Sequence, residues 1–186
     1  MNTATQQTRD LERTLISRRR IARRVREMAN ELDERYREGE LTLVCILTGA
    51  IVFVSDLMRE MSSRMRIGVV MVSTYRGATT RSGKAQIKIP LDKKYVTGKH
   101  VLVVDDILDS GKTLQVVAEI LRPYRPASLR TCVFLRKRRP EALECPVDMV
   151  GFDIPDRWVV GYGLDYNDTY RNLPHVAILS PQVYGG

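Results

Sequence analysis

Long apolar runs are missing from this chain of 186 residues, and none approaches the ~18–20 residues that a bilayer crossing needs. The opening stretch, MNTATQQTRD, lacks the apolar centre of a signal peptide. Cysteine is scarce. Cys45, Cys132 and Cys145 stand far apart, form no CxxC pair and so give no zinc site. An odd number of separated thiols predicts a reducing, cytoplasmic setting. Histidine is scarcer still: His100 and His175 each open an apolar run alone and read as structural. Internal repeats are absent, and the length predicts a single domain over 1–186.

Basic residues are in excess. Thirty Lys and Arg against 22 Asp and Glu leave a charge of +8, which suits nucleic acid, an anionic surface or phosphorylated small molecules. Two knots stand out. Arg18, Arg19, Arg20, Arg23, Arg24 and Arg26 crowd one segment, and Arg136-Lys137-Arg138-Arg139 form the other. A solvated face is the simplest expectation for the first knot.

Residues 1–13 are polar and expected to be flexible. From 14 to about 38, Ile21, Val25, Met28, Ala29, Leu32 and Tyr36 draw one helical stripe. LTLVCIL (41–47), IGVVMVSTY (67–75), HVLVVDD (100–106) and SLRTCVFL (128–135) are near-continuous apolar runs, as strands covered on both faces should be. A helical pattern from Ile51 to Met65 and another from Thr113 to Tyr124 separate them. RWVVGYG (157–163) and HVAIL (175–179) predict later, shorter strands, and residues 76–86 a mobile loop. Strands alternating with helices predict an α/β fold with a central, mostly parallel sheet flanked by helices. Ligands on such sheets bind beyond the carboxyl ends of the strands.

At one such end stands HVLVVDDILDSGKTL, residues 100–114. The SGKT element looks like the end of a nucleotide-binding P-loop, but that motif requires glycine where Asp106 stands, and an acid there would repel a triphosphate. What remains is a turn at a helix N-terminus. Backbone N–H groups of Ser110, Gly111, Lys112 and Thr113 would face an anion with the positive end of the helix dipole behind them. Asp105 and Asp106 suit other partners, either vicinal sugar hydroxyls or a hydrated Mg²⁺. Phosphate donors beside hydroxyl acceptors describe a site for ribose 5-phosphate.

This arrangement, two acids followed by two apolar residues and Asp-Ser-Gly-Lys-Thr, resembles the phosphoribosyl pyrophosphate motif of type I phosphoribosyltransferases. The stretch VGFDIPDRWVVGYGLDYNDTYRNLPHVA (150–177) is similar to that of the hypoxanthine-guanine branch, and the likeness runs from about 41 to 179. It implies the family fold, with a small hood built from the N- and C-terminal segments. It also implies transfer of ribosyl phosphate from phosphoribosyl pyrophosphate to N9 of hypoxanthine or guanine, with release of pyrophosphate. Asp105 and Asp106 then match the acids that bind the ribose hydroxyls. Asp109 matches the acid that accepts the purine's proton near N7. Lys137 matches the donor to the exocyclic O6, with Arg136, Arg138 and Arg139 left to solvent. Trp158 matches the stacking aromatic, and Val159 would offer backbone groups to the base edge. Asp165 matches a Mg²⁺ ligand, a metal that Asp105 and Asp106 could also reach, and Arg171 matches the pyrophosphate contact. Thr74 and Tyr75 match the pair that starts a flexible closing loop.

One departure stands out. The family's first loop reads Leu-Lys-Gly, whereas this chain has Leu47, Thr48 and Gly49. In relatives this loop carries a non-proline cis peptide that binds pyrophosphate through backbone groups. Thr48 keeps an N–H and a hydroxyl for that purpose, and altered pyrophosphate affinity is expected. Relatives also imply a homodimer or homotetramer. An RNA-binding regulator on the same fold is the alternative, since the pyrimidine operon attenuators are of that kind. However, the arginine-rich segment lacks the aromatics that stack on RNA bases, and neither nucleic acid nor membrane is expected as a partner.

Overall fold

The computed structural model describes residues 9–73, 86–87 and 92–185. Its elements run β1 (Leu11–Ile16), α1 (Arg18–Arg35), β2 (Leu41–Leu47), α2 (Ile51–Glu60), β3 (Met65–Ser73), β4 (Gln86–Ile87), β5 (His100–Leu108), α3 (Lys112–Leu121), β6 (Ser128–Lys137), α4 (Pro140–Glu144), β7 (Met149–Ile154), β8 (Val159–Val160), β9 (Val176–Leu179) and α5 (Pro181–Tyr184). Among the described residues no helix is long and apolar enough to cross a membrane.

The central sheet has the order β4-β3-β2-β5-β6-β7, and its five strands from β3 to β7 are parallel. Both its faces are covered, which explains the unbroken apolar runs. Leu43 and Cys45 of β2 point into one core with Ile21, Val25, Met28 and Leu32 of α1 and Phe53 and Leu57 of α2. The alternate residues Val44 and Ile46 point into a second core with Leu114, Val117 and Leu121 of α3. Each such buried side chain contributes roughly 1.5–3 kcal/mol of transfer free energy. The chain leaves β2 for β3 on one side and later enters β5 on the other. The gap between the carboxyl ends of β2 and β5 is therefore a topological switch point, where a ligand can enter without meeting a crossover.

A second, antiparallel sheet, β1-β9-β8, forms the hood. Residues 11–13, placed in a flexible terminus by their polarity, belong to its first strand. Leu11 pairs with Leu179 and Ile16 with Val176. The helix expected from 14 therefore starts at Arg18, where the Ser17 hydroxyl accepts the Arg20 N–H at 3.4 Å. β7 is also an addition, and RWVVGYG narrows to the two residues of β8.

The arginine cluster of α1 is only partly solvated. Arg24 donates to the carbonyls of Val150 and Gly151 at 3.0 and 3.1 Å, satisfying acceptors on edge strand β7. Arg26 pairs with Glu60, and the Arg20 guanidinium lies 5.7 Å from the centre of the Phe152 ring. The second knot departs further from a solvated face: Arg136 clamps Asp153 of β7 through two nitrogens, at 2.7 and 3.2 Å.

Candidate active site

Strand β5 carries its apolar run up to the switch point and there turns acidic. Asp105 is only 6% exposed and Asp106 is half-buried. The Asp106 N–H donates to Asp105 Oδ1 at 3.0 Å, and the Ile107 N–H to Asp106 Oδ1 at 2.8 Å. Among the described residues neither carboxylate has an ion-pair partner. Burial pushes the Asp105 carboxyl well above the usual carboxylate range, and the charge on Asp106 adds to this. Burial raises Asp106 as well, against the lowering effect of hydrogen bonds from Asp105 and Ile107 and of the Arg171 charge. A pair of acids set this deep without a cation is arranged for something that arrives with hydroxyls or positive charge.

After Leu108 the chain turns through Asp109, Ser110 and Gly111 into α3. Gly111 is left-handed at φ +75°, and no side chain caps the helix, so the acid pair does not serve as an N-cap. The N–H groups of Lys112 and Thr113 therefore stay open to an anion. Gly111 is also required on its other side, where a Cβ would run into the thiol of Cys145.

Across the switch point, the Leu47–Thr48 peptide is cis, Thr48 is exposed, and the Thr48 carbonyl accepts the Ile51 N–H at 3.2 Å. Gly49 lies so close to Asp106 that a Cβ would fall inside its carboxylate. The loop after β8 closes the same end. Gly161, Tyr162, Gly163, Asn167, Asp168 and Tyr170 all have positive φ, and a Cβ at Gly163 would strike the Gly49 carbonyl. This tight course brings Arg171 back to Asp165, at 2.9 Å, and to Asp168, at 3.1 Å. Its other nitrogen donates to the Gly163 carbonyl at 2.9 Å.

Between hood and sheet lies a cavity of about 140 Å³ lined by Asp106, Ile107, Asp109, Lys137, Arg157, Trp158, Val159, Leu164 and Asp165. Trp158 is 50% exposed, which excludes a core tryptophan. Its ring is steadied edge-on by Tyr166 at 5.8 Å and tilted against Tyr184 at 6.0 Å. Lys137, the last residue of β6, places Nζ 5.7 Å from the centre of that ring, 3.1 Å from Asp156 and 3.5 Å from Asp109. A flat wall, a cation and a carboxylate around so small a space suit one bicyclic, oxygen-bearing heterocycle.

The sequence-read residues therefore meet at one place, with two exceptions. Thr74, Tyr75 and nearly all of the expected closing loop lie outside the described residues. Asp165 and the Asp105–Asp106 pair do not form a three-acid metal cluster, and none exists among the described residues. A divalent ion here would need oxygens from the substrate to complete its shell, which fits Mg²⁺, an ion that keeps water and substrate ligands.

Sequence reading missed several residues. Arg139, expected in solvent, bonds Asp109 at 2.9 Å and Glu141 at 3.0 Å. Asp156 holds Lys137, and Ile107, Arg157 and Leu164 line the cavity. Only closeness in sequence to Trp158 and Lys137 could have marked Arg157, Asp156 and Arg139.

The family model for the phosphoribosyl transferase domain matches residues 14–167. A hypoxanthine-guanine phosphoribosyltransferase of Bacillus subtilis is 37% identical over 175 residues, 94% of this chain and 97% of that protein. A hypoxanthine-guanine-xanthine phosphoribosyltransferase of Tritrichomonas foetus is 38% identical, covering 94% and 95%. The crystal structure of a hypoxanthine phosphoribosyltransferase from Staphylococcus aureus superposes with a TM-score of 0.89 at 35% identity, covering both chains completely. Matched by that family model over most of its length, and by relatives of one branch in both sequence and fold, the chain belongs to the type I phosphoribosyltransferases, in their hypoxanthine-guanine branch.

Proposed function

We propose that the protein salvages purines, transferring the 5-phosphoribosyl group of phosphoribosyl pyrophosphate to N9 of hypoxanthine or guanine to give IMP or GMP. The observation that carries this is the sharing of Asp106. The acid that closes the sugar-gripping pair also lines the 140 Å³ cavity, so a ribose held at β5 has its anomeric carbon turned towards a base in that cavity.

In this reading the N–H groups of 110–113 hold the 5-phosphate, and Asp105 and Asp106 accept the 2′- and 3′-hydroxyls. Trp158 stacks on the purine, Lys137 donates to its O6 and the Val159 backbone meets its edge. A site built to donate to an oxo group leaves an adenine's amino group facing a cation, and discrimination of ~10⁴-fold is attainable that way. Asp109 takes the purine proton near N7 as the N9–C1′ bond forms and the C1′–O bond to pyrophosphate breaks, which typically contributes ~10²–10⁴-fold. Arg171 and the Thr48–Gly49 backbone receive the departing pyrophosphate. Thr74, Tyr75 and residues 76–86 would exclude water from the activated sugar. Asp165, with Asp105 and Asp106, would hold Mg²⁺, which when bound offsets the negative charge of the leaving group.

We read 1–186 as one domain, a reading supported by both sheets walling the same cavity. Three free thiols, all buried, support a cytoplasmic setting. A homodimer or homotetramer is the assembly expected, with exposed Ile51, Met58 and Ile67 offering apolar surface for it. The alternative of an RNA-binding regulator loses ground because Arg20, Arg24 and Arg26 are engaged within the fold. Incubating purified protein with Mg²⁺, phosphoribosyl pyrophosphate and each base in turn should yield IMP and GMP but not AMP. Omitting Mg²⁺ should stop the reaction. AMP formation at a comparable rate would refute the assignment of Lys137.

A further inference from the structure

We infer that Arg139 is a positioning residue for Asp109, a role that rests on the reading of Asp109 as the purine's proton acceptor. Asp109 needs such a bracket. Its side chain is about half exposed on a turn, and among the described residues its ion-pair partners are Arg139 at 2.9 Å and Lys137 at 3.5 Å. Lys137 cannot serve throughout. It is shared with Asp156 at 3.1 Å, and when a 6-oxopurine binds it turns to the exocyclic oxygen. The carboxylate would then be free to rotate at the moment it must face the base. Arg139 remains.

Arg139 is itself fixed at both ends. Its N–H donates to the Lys137 carbonyl at 3.0 Å, folding the chain back beside the end of β6. Its carbonyl accepts the N–H groups of Ala142 and Leu143 at 3.1 and 3.0 Å, so its backbone is the N-cap of α4, with Pro140 setting the first turn. At the side-chain end, Nε donates to Glu141 Oε2 at 3.0 Å, which leaves the Nη1 edge aimed at Asp109 Oδ1. A planar guanidinium held along one edge presents the other in a fixed direction, as a flexible ammonium cannot. Because Arg139 engages Oδ1, Oδ2 of Asp109 keeps its lone pairs for the incoming proton. Asp156 Oδ2, 4.0 Å from Arg139 and bonded through Oδ1 to Lys137, joins Asp109, Lys137, Arg139 and Glu141 in one ion-pair network.

The test is a double-mutant cycle read by single-turnover nucleotide formation, which slow product release cannot mask. Arg139→Ala should slow the chemical step by about 10- to 100-fold, the range for a misplaced catalytic group. The KM for phosphoribosyl pyrophosphate should stay near that of the parent, and Arg139→Lys should recover part of the rate. In an Asp109→Asn background, Arg139→Ala should cost nothing more. If Asp109→Asn alone leaves turnover intact, the proton-acceptor reading fails. If Asp109→Asn abolishes turnover while Arg139→Ala has no effect, or multiplies fully in the double variant, the positioning role is overturned.

Discussion

Replacing Gly49 by alanine tests the closest approach in the site. The φ of Gly49 is not in the left-handed region, so alanine meets no backbone penalty there. The added methyl instead falls where the Asp106 carboxylate now sits. That carboxylate cannot simply slide, because its Oδ1 accepts the Ile107 N–H at 2.8 Å and it stands beside buried Asp105. It must rotate out of its place in the proposed sugar site. The native packing loses about 1–3 kcal/mol, as for other overpacked sites. Loss of one hydrogen bond between a charged acceptor and a ribose hydroxyl costs a further ~1.5–3 kcal/mol in binding, which is roughly 10- to 150-fold in affinity. Steady-state kinetics should show the KM for phosphoribosyl pyrophosphate rising by that factor, with a modest fall in melting temperature. In an Asp106→Ala background the same methyl should be tolerated, since the obstacle is gone. A folded Gly49→Ala protein with an unchanged KM would refute the argument that this glycine keeps the acid in its place.

Two further outcomes follow from the site. Burial holds the Asp105 carboxyl above its ordinary value, so its protonated form is favoured by folding. Its contribution is present below about pH 4, the ordinary carboxylate value, and is lost as the pH rises through the raised one. Asp105→Asn should therefore flatten the decline in ligand-free melting temperature with pH and raise it near neutrality by ~2–4 °C, about 1 kcal/mol, while weakening sugar binding. An identical pH slope in parent and variant would contradict this. Thr48→Lys should lower the KM for pyrophosphate in the reverse reaction. No change would mean that the side chain at 48 is idle and only its backbone counts.

Legibility in the sequence followed the physics of each segment. β2, β5 and β6 were plain because burial on both faces leaves nothing but apolar residues. The acids and glycine of 105–113 were plain because so few chemistries need them in that order. β1 was hidden for the opposite reason. LERTLI carries three polar side chains, and its partner lies some 165 residues away, so no local signal announces it. β7 was hidden by Gly151, which is needed because a Cβ there would meet the Phe134 carbonyl. Arg139 looked like one of three bases left to solvent. What distinguishes it is a turn of the chain, which composition does not encode.

The wall proposed to recognise the base hangs from the hood. The Leu179 N–H donates to the Trp158 carbonyl at 2.9 Å, and the Ser180 N–H to the Asp10 carbonyl at 2.8 Å. Glu12 bonds Arg157 at 2.5 Å and Asp10 accepts the Tyr170 hydroxyl at 2.7 Å. The central sheet is complete by Ile154, but β1 waits for Leu179. During synthesis, then, the strands and turn proposed to grip the sugar phosphate can assemble before β9 emerges. The proposed discrimination between bases arrives only when β9 finds β1.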